Sequence, residues 1–285
     1  MLEKIDLSKA ITNVEYKKSE KLLKPKLGEL QRKAWDLKIP VILVFEGWHA
    51  PGMGEYVNRF ILSLDPRGYS FNTITKPCCE ELLKPFIIRF WSRIPAKGKI
   101  AIFDRSWYSR AIIECLGKEK AEQEMGKYLE KINYFERQLA DDRYLIIKFF
   151  LHISEKEHNE RFKELKKADI LLIFEEYEKE LSRDLDLIHN YNEYFPFVEN
   201  MLEKTDMPYA PWTVVEANDR NFATLKIMMT VIHAMEASIE QATRTSAEKT
   251  LKYPDLGTGG VPQLKNSILE TIDLSKKMDI DEYKE

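Results

Sequence analysis

The stretch VILVFEGWHAPGMGEYVNRF, residues 41–60, passes from five apolar residues into a glycine-rich loop and then into helical spacing. A buried strand, a G-x-x-x-x-G turn from Gly47 to Gly52 and a helix from about Glu55 outline a phosphate cradle. In such a cradle, backbone N–H groups and the positive end of the helix face phosphate oxygens. Gly47, Gly52 and Gly54 would supply the tight backbone. The position where these loops carry lysine holds Met53, and His49 and Pro51 are further departures. A loop lysine places a full positive charge on the transferring phosphoryl group, and methionine places none. The glycine pattern alone also fits a plain strand-to-helix turn, so both readings stand at this point.

Outward from this stretch, short apolar runs alternate with long amphipathic ones. Strands are expected at Val41–Phe45, Phe71–Thr75, Ile100–Phe103, Leu145–Leu151 and Thr213–Glu216. Their near-continuous apolar character suits a parallel sheet covered on both faces. Helices are expected over Val14–Asp36, Glu55–Leu64, Glu80–Arg93, Trp107–Cys115, Glu119–Ala140, Glu155–Lys166, Phe174–Leu202 and Asp219–Ala242. This alternation predicts an α/β protein, a three-layer nucleoside-kinase-like α/β/α sandwich with a five-stranded parallel sheet.

Composition sets wider bounds. A 285-residue chain with 44% hydrophobic and 32% charged residues is an ordinary globular protein, long enough for a full core. Its net charge of −3 argues against a broad nucleic-acid surface but leaves room for a local cationic groove. No apolar run approaches membrane length, so no membrane partner is expected. Three cysteines, Cys78 and Cys79 adjacent, have neither metal-ligand spacing nor a disulfide framework. A reducing cytoplasm is the expected location.

A second candidate site is FDRSWYSRA, residues 103–111. An aspartate at the C-terminal end of a neighbouring parallel strand is where a magnesium ligand belongs in phosphoryl-transfer sheets, which points to Asp104. Arg105 and Arg110 could present guanidinium forks to phosphate. Alternatively, Asp104 or Ser106 is simply the cap of the following helix. His49 could ligate a metal, or pack within an altered loop.

The two ends of the chain repeat each other. LEKIDLSKAITNVEYKK (2–18) and LETIDLSKKMDIDEYKE (269–285) share ten of seventeen residues without a gap. This is either chance similarity of charged amphipathic segments or the start of a second domain copy. The second view divides the chain into a domain at 1–252, a glycine- and proline-bearing linker at 253–268 and the opening of a copy at 269–285.

Together, EGWHAPGMG and FDRSWYSRA resemble the type 2 polyphosphate kinase family. The resemblance extends through SLDPRGYSFNTITKP (63–77), FIIRFWSRIPAKGKI (86–100), KFFLHIS (148–154) and MLEKTDMPYAPWTVVEANDR (201–220). It spans about residues 10–242 and is nearest to the N-terminal domain of tandem-domain polyphosphate:AMP phosphotransferases. It implies magnesium-dependent phosphoryl transfer between inorganic polyphosphate and an adenine nucleotide, AMP to ADP. By the same match Asp104 is a metal-linked acid and Arg105 a phosphate-binding base. Lys76 lies near the acceptor nucleotide and Arg89 near the phosphates. Arg161 opens a lid over about 155–190, whose 163–183 stretch is acidic toward its end.

The family loop reads glycine-x-aspartate-alanine-alanine-glycine-lysine-glycine, whereas this chain has His49 for the aspartate and Met53 for the lysine. The resemblance therefore implies a catalytically impaired domain, paired in a dimer-like way with an active second copy. Two rivals remain: an active kinase that uses arginines in place of the lysine, and a regulatory polyphosphate- or nucleotide-binding module.

Overall fold

The computed structural model describes residues 2–48, 53–74, 77–116, 119–167 and 191–251. Its centre is a five-stranded, all-parallel sheet of order β2-β3-β1-β4-β5. The strands are β1 (Val41–Gly47), β2 (Tyr69–Thr73), β3 (Ile100–Asp104), β4 (Leu145–His152) and β5 (Trp212–Glu216). Every residue of β1 and of β4 is buried, as the apolar runs require of strands covered on both faces. Edge strand β2 is half-open and carries polar residues along one side.

One face of the sheet is covered by α1 (Asn13–Asp36), α2 (Met53–Ile61) and the long α9 (Arg220–Leu251). The other is covered by α5 (Trp107–Cys115), α6 (Ala121–Asp141) and α8 (Tyr191–Thr205). Helix α7 (Glu155–Lys167) leaves the C-terminal end of β4. Helix starts follow local chemistry. Thr12 and Glu15 form a reciprocal capping box on α1, and Asp219 accepts the Phe222 N–H at 2.7 Å ahead of α9.

The single helix expected over Glu80–Arg93 is two short ones, α3 (Cys79–Leu82) and α4 (Ile88–Trp91). Pro85 lies between them; it lacks an N–H and crowds the residue before it out of the helical region. Within the expected Phe174–Leu202 helix the described portion runs from Tyr191 and continues to Thr205, three residues past the expected end. Residues 168–190 lie outside the described set, as do the linker and the repeated segment.

The expectation that nothing approaches membrane length is corrected by α9. Arg220–Arg244 is long and apolar enough to span a bilayer, but 67% of its most apolar window is buried within the fold. Charged Lys226 and Glu236 interrupt any continuous apolar run, which hid the stretch from inspection of the sequence. It is a core helix packed on α1, β4 and β5.

Two glycines are required by close approach. A Cβ on Gly47 would come within 2.9 Å of the Leu151 carbonyl oxygen, so β1 and β4 pack tightly at their ends. Gly98, at φ +82°, turns the chain into β3 against the Trp35 carbonyl.

Candidate functional site

In open α/β sheets, ligands bind beyond the carboxyl ends of the strands, where connections leave in opposite directions. Here β1 crosses past β3 to β2, and β3 crosses past β1 to β4. The ends of β1 and β3 are in register, Phe45 beside Asp104, so the chain leaving β1 at Gly47 and the Asp104–Arg105 turn emerge from neighbouring strands.

Ser106, not Asp104, caps α5: its hydroxyl accepts the Tyr108 N–H at 3.2 Å. That settles the alternative left open by the sequence and leaves Asp104 as the last residue of β3. Burial pushes its carboxyl above the usual range, and Arg105 opposes the shift. Arg105 has φ +60°, a left-handed conformation uncommon for a non-glycine residue. It is held by its own N–H, which donates to the Phe45 carbonyl at 3.0 Å. Backbone strain of this kind collects at functional sites because the surrounding structure must over-determine it.

Glu46, which sequence reasoning passed over, is buried beside this turn. Its carboxylate accepts from the Ser106 hydroxyl at 2.6 Å, the Ser109 N–H at 3.2 Å and the Ser109 hydroxyl. Burial raises its pKa while these three donors and Arg105 pull it down. The result is a clasp that ties the end of β1 to the first turn of α5. The available signal was a carboxylate closing an otherwise apolar strand.

An arginine cluster adjoins α5. Arg89 on α4 is buried; desolvation lowers its pKa, and the like charges of Arg93 and Arg110 lower it further, against Glu81. Glu81 pairs with Arg89 at 3.4 Å, and Glu114 pairs with Arg110. Arg93 Nη1 and Arg110 Nε are buried with no hydrogen-bond partner among the described residues. Guanidinium nitrogens left this way suit an incoming anion. Arg93 was also missed in the sequence, although it sits one helical turn's spacing after Arg89.

Other expected positions fall differently. Arg161 is buried, its Nε on Glu157 at 2.7 Å and its Nη2 on the Tyr56 hydroxyl and the Ala217 carbonyl at 3.0 and 2.7 Å. It thereby anchors the base of α7 to α2 and the end of β5. Gly54 has nothing within 4 Å of a notional Cβ among the described residues. His49, Gly52 and Lys76 lie outside the described residues, as does the side chain of Met53.

Magnesium takes oxygen ligands and is commonly held by one or two carboxylates together with phosphate oxygens and water. No cluster of three or more His, Cys, Asp or Glu able to cage an ion occurs among the described residues. Glu46 is committed to its serines, and Asp104 shows no hydrogen bond to its carboxylate there. The set fits an ion carried in on phosphates with Asp104 as its protein ligand.

Trp48 follows the cradle's first glycine and turns the other way, stacking on Tyr191 at 4.0 Å and against Phe195. Its indole N–H donates to His152 Nδ1 at 2.9 Å. Burial lowers the His152 pKa to about 4, opposed by a hydrogen bond to the Leu2 backbone and by Glu216 and Glu199. Because the folded form holds fewer protons than the unfolded one between about pH 4 and 6.5, this contribution is complete above 6.5 and is lost as pH falls through 4. The loss is on the order of 3 kcal/mol. Urea unfolding from pH 7 to 4 should show that slope, and His152→Gln should flatten it; an unchanged slope would contradict the assignment.

The five-stranded parallel sheet with helices on both faces, Asp104 and the arginines lying at its carboxyl end, is an α/β fold of the P-loop kinase-like class. The chain belongs to the polyphosphate kinase 2 (PPK2) family, whose sequence model matches residues 10–243. It is 34% identical over 241 residues to a polyphosphate:AMP phosphotransferase of Pseudomonas aeruginosa, covering 85% of this chain and 48% of that protein. A GDP-polyphosphate phosphotransferase of Mycolicibacterium smegmatis is 30% identical over 223 residues, covering 76% and 75%. A crystal structure of a polyphosphate kinase 2 from P. aeruginosa superposes with a TM-score of 0.75 at 33% identity, covering 84% of this chain and 50% of that one. The chain thus spans about half the length of the polyphosphate:AMP relative it matches.

Proposed function

We propose that this chain is one domain of a polyphosphate-dependent nucleotide phosphotransferase that makes ADP from AMP and polyphosphate with magnesium, and that this domain is catalytically impaired. The observation that carries the proposal is His49 and Met53 in the loop sequence, beside an Asp104 at the end of β3 and an Arg105 in the left-handed region. Asp104 would hold the magnesium ion, which supplies charge neutralisation on the phosphates. Arg105 and the Arg89–Arg93–Arg110 cluster would bind and orient phosphate oxygens, and the Glu46 clasp would keep the two loops together. The domain's role is then to pair, dimer-like, with a second, active copy downstream. The duplicated 2–18 and 269–285 segments support this, as do relatives about twice its length. Cys78, Cys79 and Cys115 form no disulfide among the described residues, in keeping with a cytoplasmic setting.

The buried guanidinium nitrogens of Arg93 and Arg110 favour one secondary reading, a domain that still binds polyphosphate or nucleotide. Residues 1–285 supplied with AMP, polyphosphate and magnesium should turn over at least about 10²-fold more slowly than an intact family member, the scale of losing one transition-state donor. Polyphosphate should still bind, with affinity that falls steeply with salt and drops further in Arg93→Ala. Turnover at the family rate that Asp104→Asn abolishes would overturn the impaired reading. Unchanged binding in Arg93→Ala would remove the cluster from it.

A further inference from the structure

Residues 2–9 form a strap across the carboxyl ends of β4 and β5. Leu2 is fully buried; its N–H donates to Glu199 at 2.9 Å, and its backbone accepts from the His152 ring. Asp6 takes both the Ser8 N–H at 3.0 Å and the Ser8 hydroxyl, folding the strap on itself. Lys9 reaches the buried Glu216 at 3.1 Å. The groove is therefore a carboxylate, an imidazole and a second carboxylate, and through His152 the strap supports Trp48.

Each of these contact residues recurs 267 positions later, as Leu269, Asp273, Ser275 and Lys276. Differences between the two segments follow exposure. Of the seven positions that differ, Lys4, Ala10, Thr12, Asn13, Val14 and Lys18 are exposed, and the part-buried Ile11 becomes another apolar residue, Met278. The buried or part-buried Leu2, Ile5, Leu7, Lys9 and Tyr16 are all identical. Even the capping box survives, since Thr12 and Glu15 correspond to Asp279 and Glu282, and aspartate caps as well as threonine. Chance similarity between charged segments has no reason to respect burial.

We propose that residues 269–276 are a second strap, built for a groove of this kind and able to replace residues 2–9 on the Glu199–His152–Glu216 groove. This rests on the reading of a duplicated domain, and it adds the contacts by which the two copies could exchange straps. Reach does not prevent it. Helix α9 starts four residues after Glu216, and its 32 residues extend about 48 Å. The seventeen residues 252–268 can span roughly 56 Å or more when extended.

The test compares thermal midpoints of the full 285-residue chain. Leu2→Ser with Lys9→Ala removes the first strap, Leu269→Ser with Lys276→Ala the second, and a quadruple variant both. The second pair alone should change nothing. The first pair should cost less than the quadruple variant, which should fall by about 5–10 °C, the scale of losing a buried leucine. If the quadruple variant is too unstable to purify alone, it is refolded with a synthetic 269–285 peptide. That peptide should restore the midpoint, and a peptide with Leu269→Ser and Lys276→Ala should not. Equal midpoints for the first-pair and quadruple variants, with no peptide rescue, would overturn the exchange. The duplication itself is tested separately, by reading the gene beyond residue 285, so the two can fail independently.

Discussion

His49→Asp combined with Met53→Lys is expected to raise ADP formation by residues 1–285 by at least about 10²-fold, and toward 10³-fold per restored group. The lysine returns a cation to the start of α2, where Met53 now stands. The aspartate returns a second carboxylate to a site where Glu46 is tied up and Asp104 stands alone among the described residues. Each single substitution should recover less than the pair, because the two groups act on one phosphoryl group and effects within such a unit are not additive. The readout is ADP from AMP and polyphosphate, with Asp104→Asn in the restored background as control. That control should return activity to the parent level. A restored loop without any gain would mean the impairment extends past residues 49–53, with the acidic 163–183 stretch the next place to repair.

Lys148→Met is expected to cost about 3–5 kcal/mol of folding stability, the usual consequence of leaving a buried charge without its partner. Lys148 and Glu136 have fully buried side chains 2.8 Å apart. Burial pulls the Lys148 pKa down while Glu136 holds it up. Lys148 also donates to the Tyr108 hydroxyl and the Thr205 carbonyl, each at 2.8 Å. Glu136 accepts from the Trp107 indole at 3.0 Å and from Tyr108 at 2.7 Å, and Trp212 donates to Thr205 at 2.8 Å. Replacing both members together, Lys148→Met with Glu136→Gln, should recover much of the loss. Denaturant unfolding of the cycle should therefore give a coupling energy well above that of an exposed pair, about 0–1 kcal/mol. A Lys148→Met variant within 1 kcal/mol of the parent would show that the pair contributes nothing.

This network explains the two runs that stand out in the sequence. Trp107 and Tyr108 of FDRSWYSRA and Trp212 of MLEKTDMPYAPWTVVEANDR are buried in the core. They converge on one buried ion pair that fixes α5, and α5 carries Ser106 and Ser109 to Glu46. The runs are legible as signatures because they are rare. Their purpose was not legible, since the partners lie on α6, β4 and the end of α8, remote in sequence.

The five strands and their parallel orientation follow from residue pattern alone, because apolar period is a local property of the chain. So do the loss of charge at residues 49 and 53, the missing helix turn that Pro85 dictates once it is weighed, and the repeat at the two ends. The order of the strands across the sheet came only from the structure. What the tertiary structure decided is which groups meet: Ser106 rather than Asp104 as the cap, Arg93 beside Arg89 and Arg110, and Arg161 as an anchor rather than an open charge. It also showed that residues 2–9 lie as a strap on Glu199, His152 and Glu216. These are contacts between residues tens to hundreds of positions apart, formed when burial makes each polar group find a partner. No local pattern in the chain encodes which partner that will be.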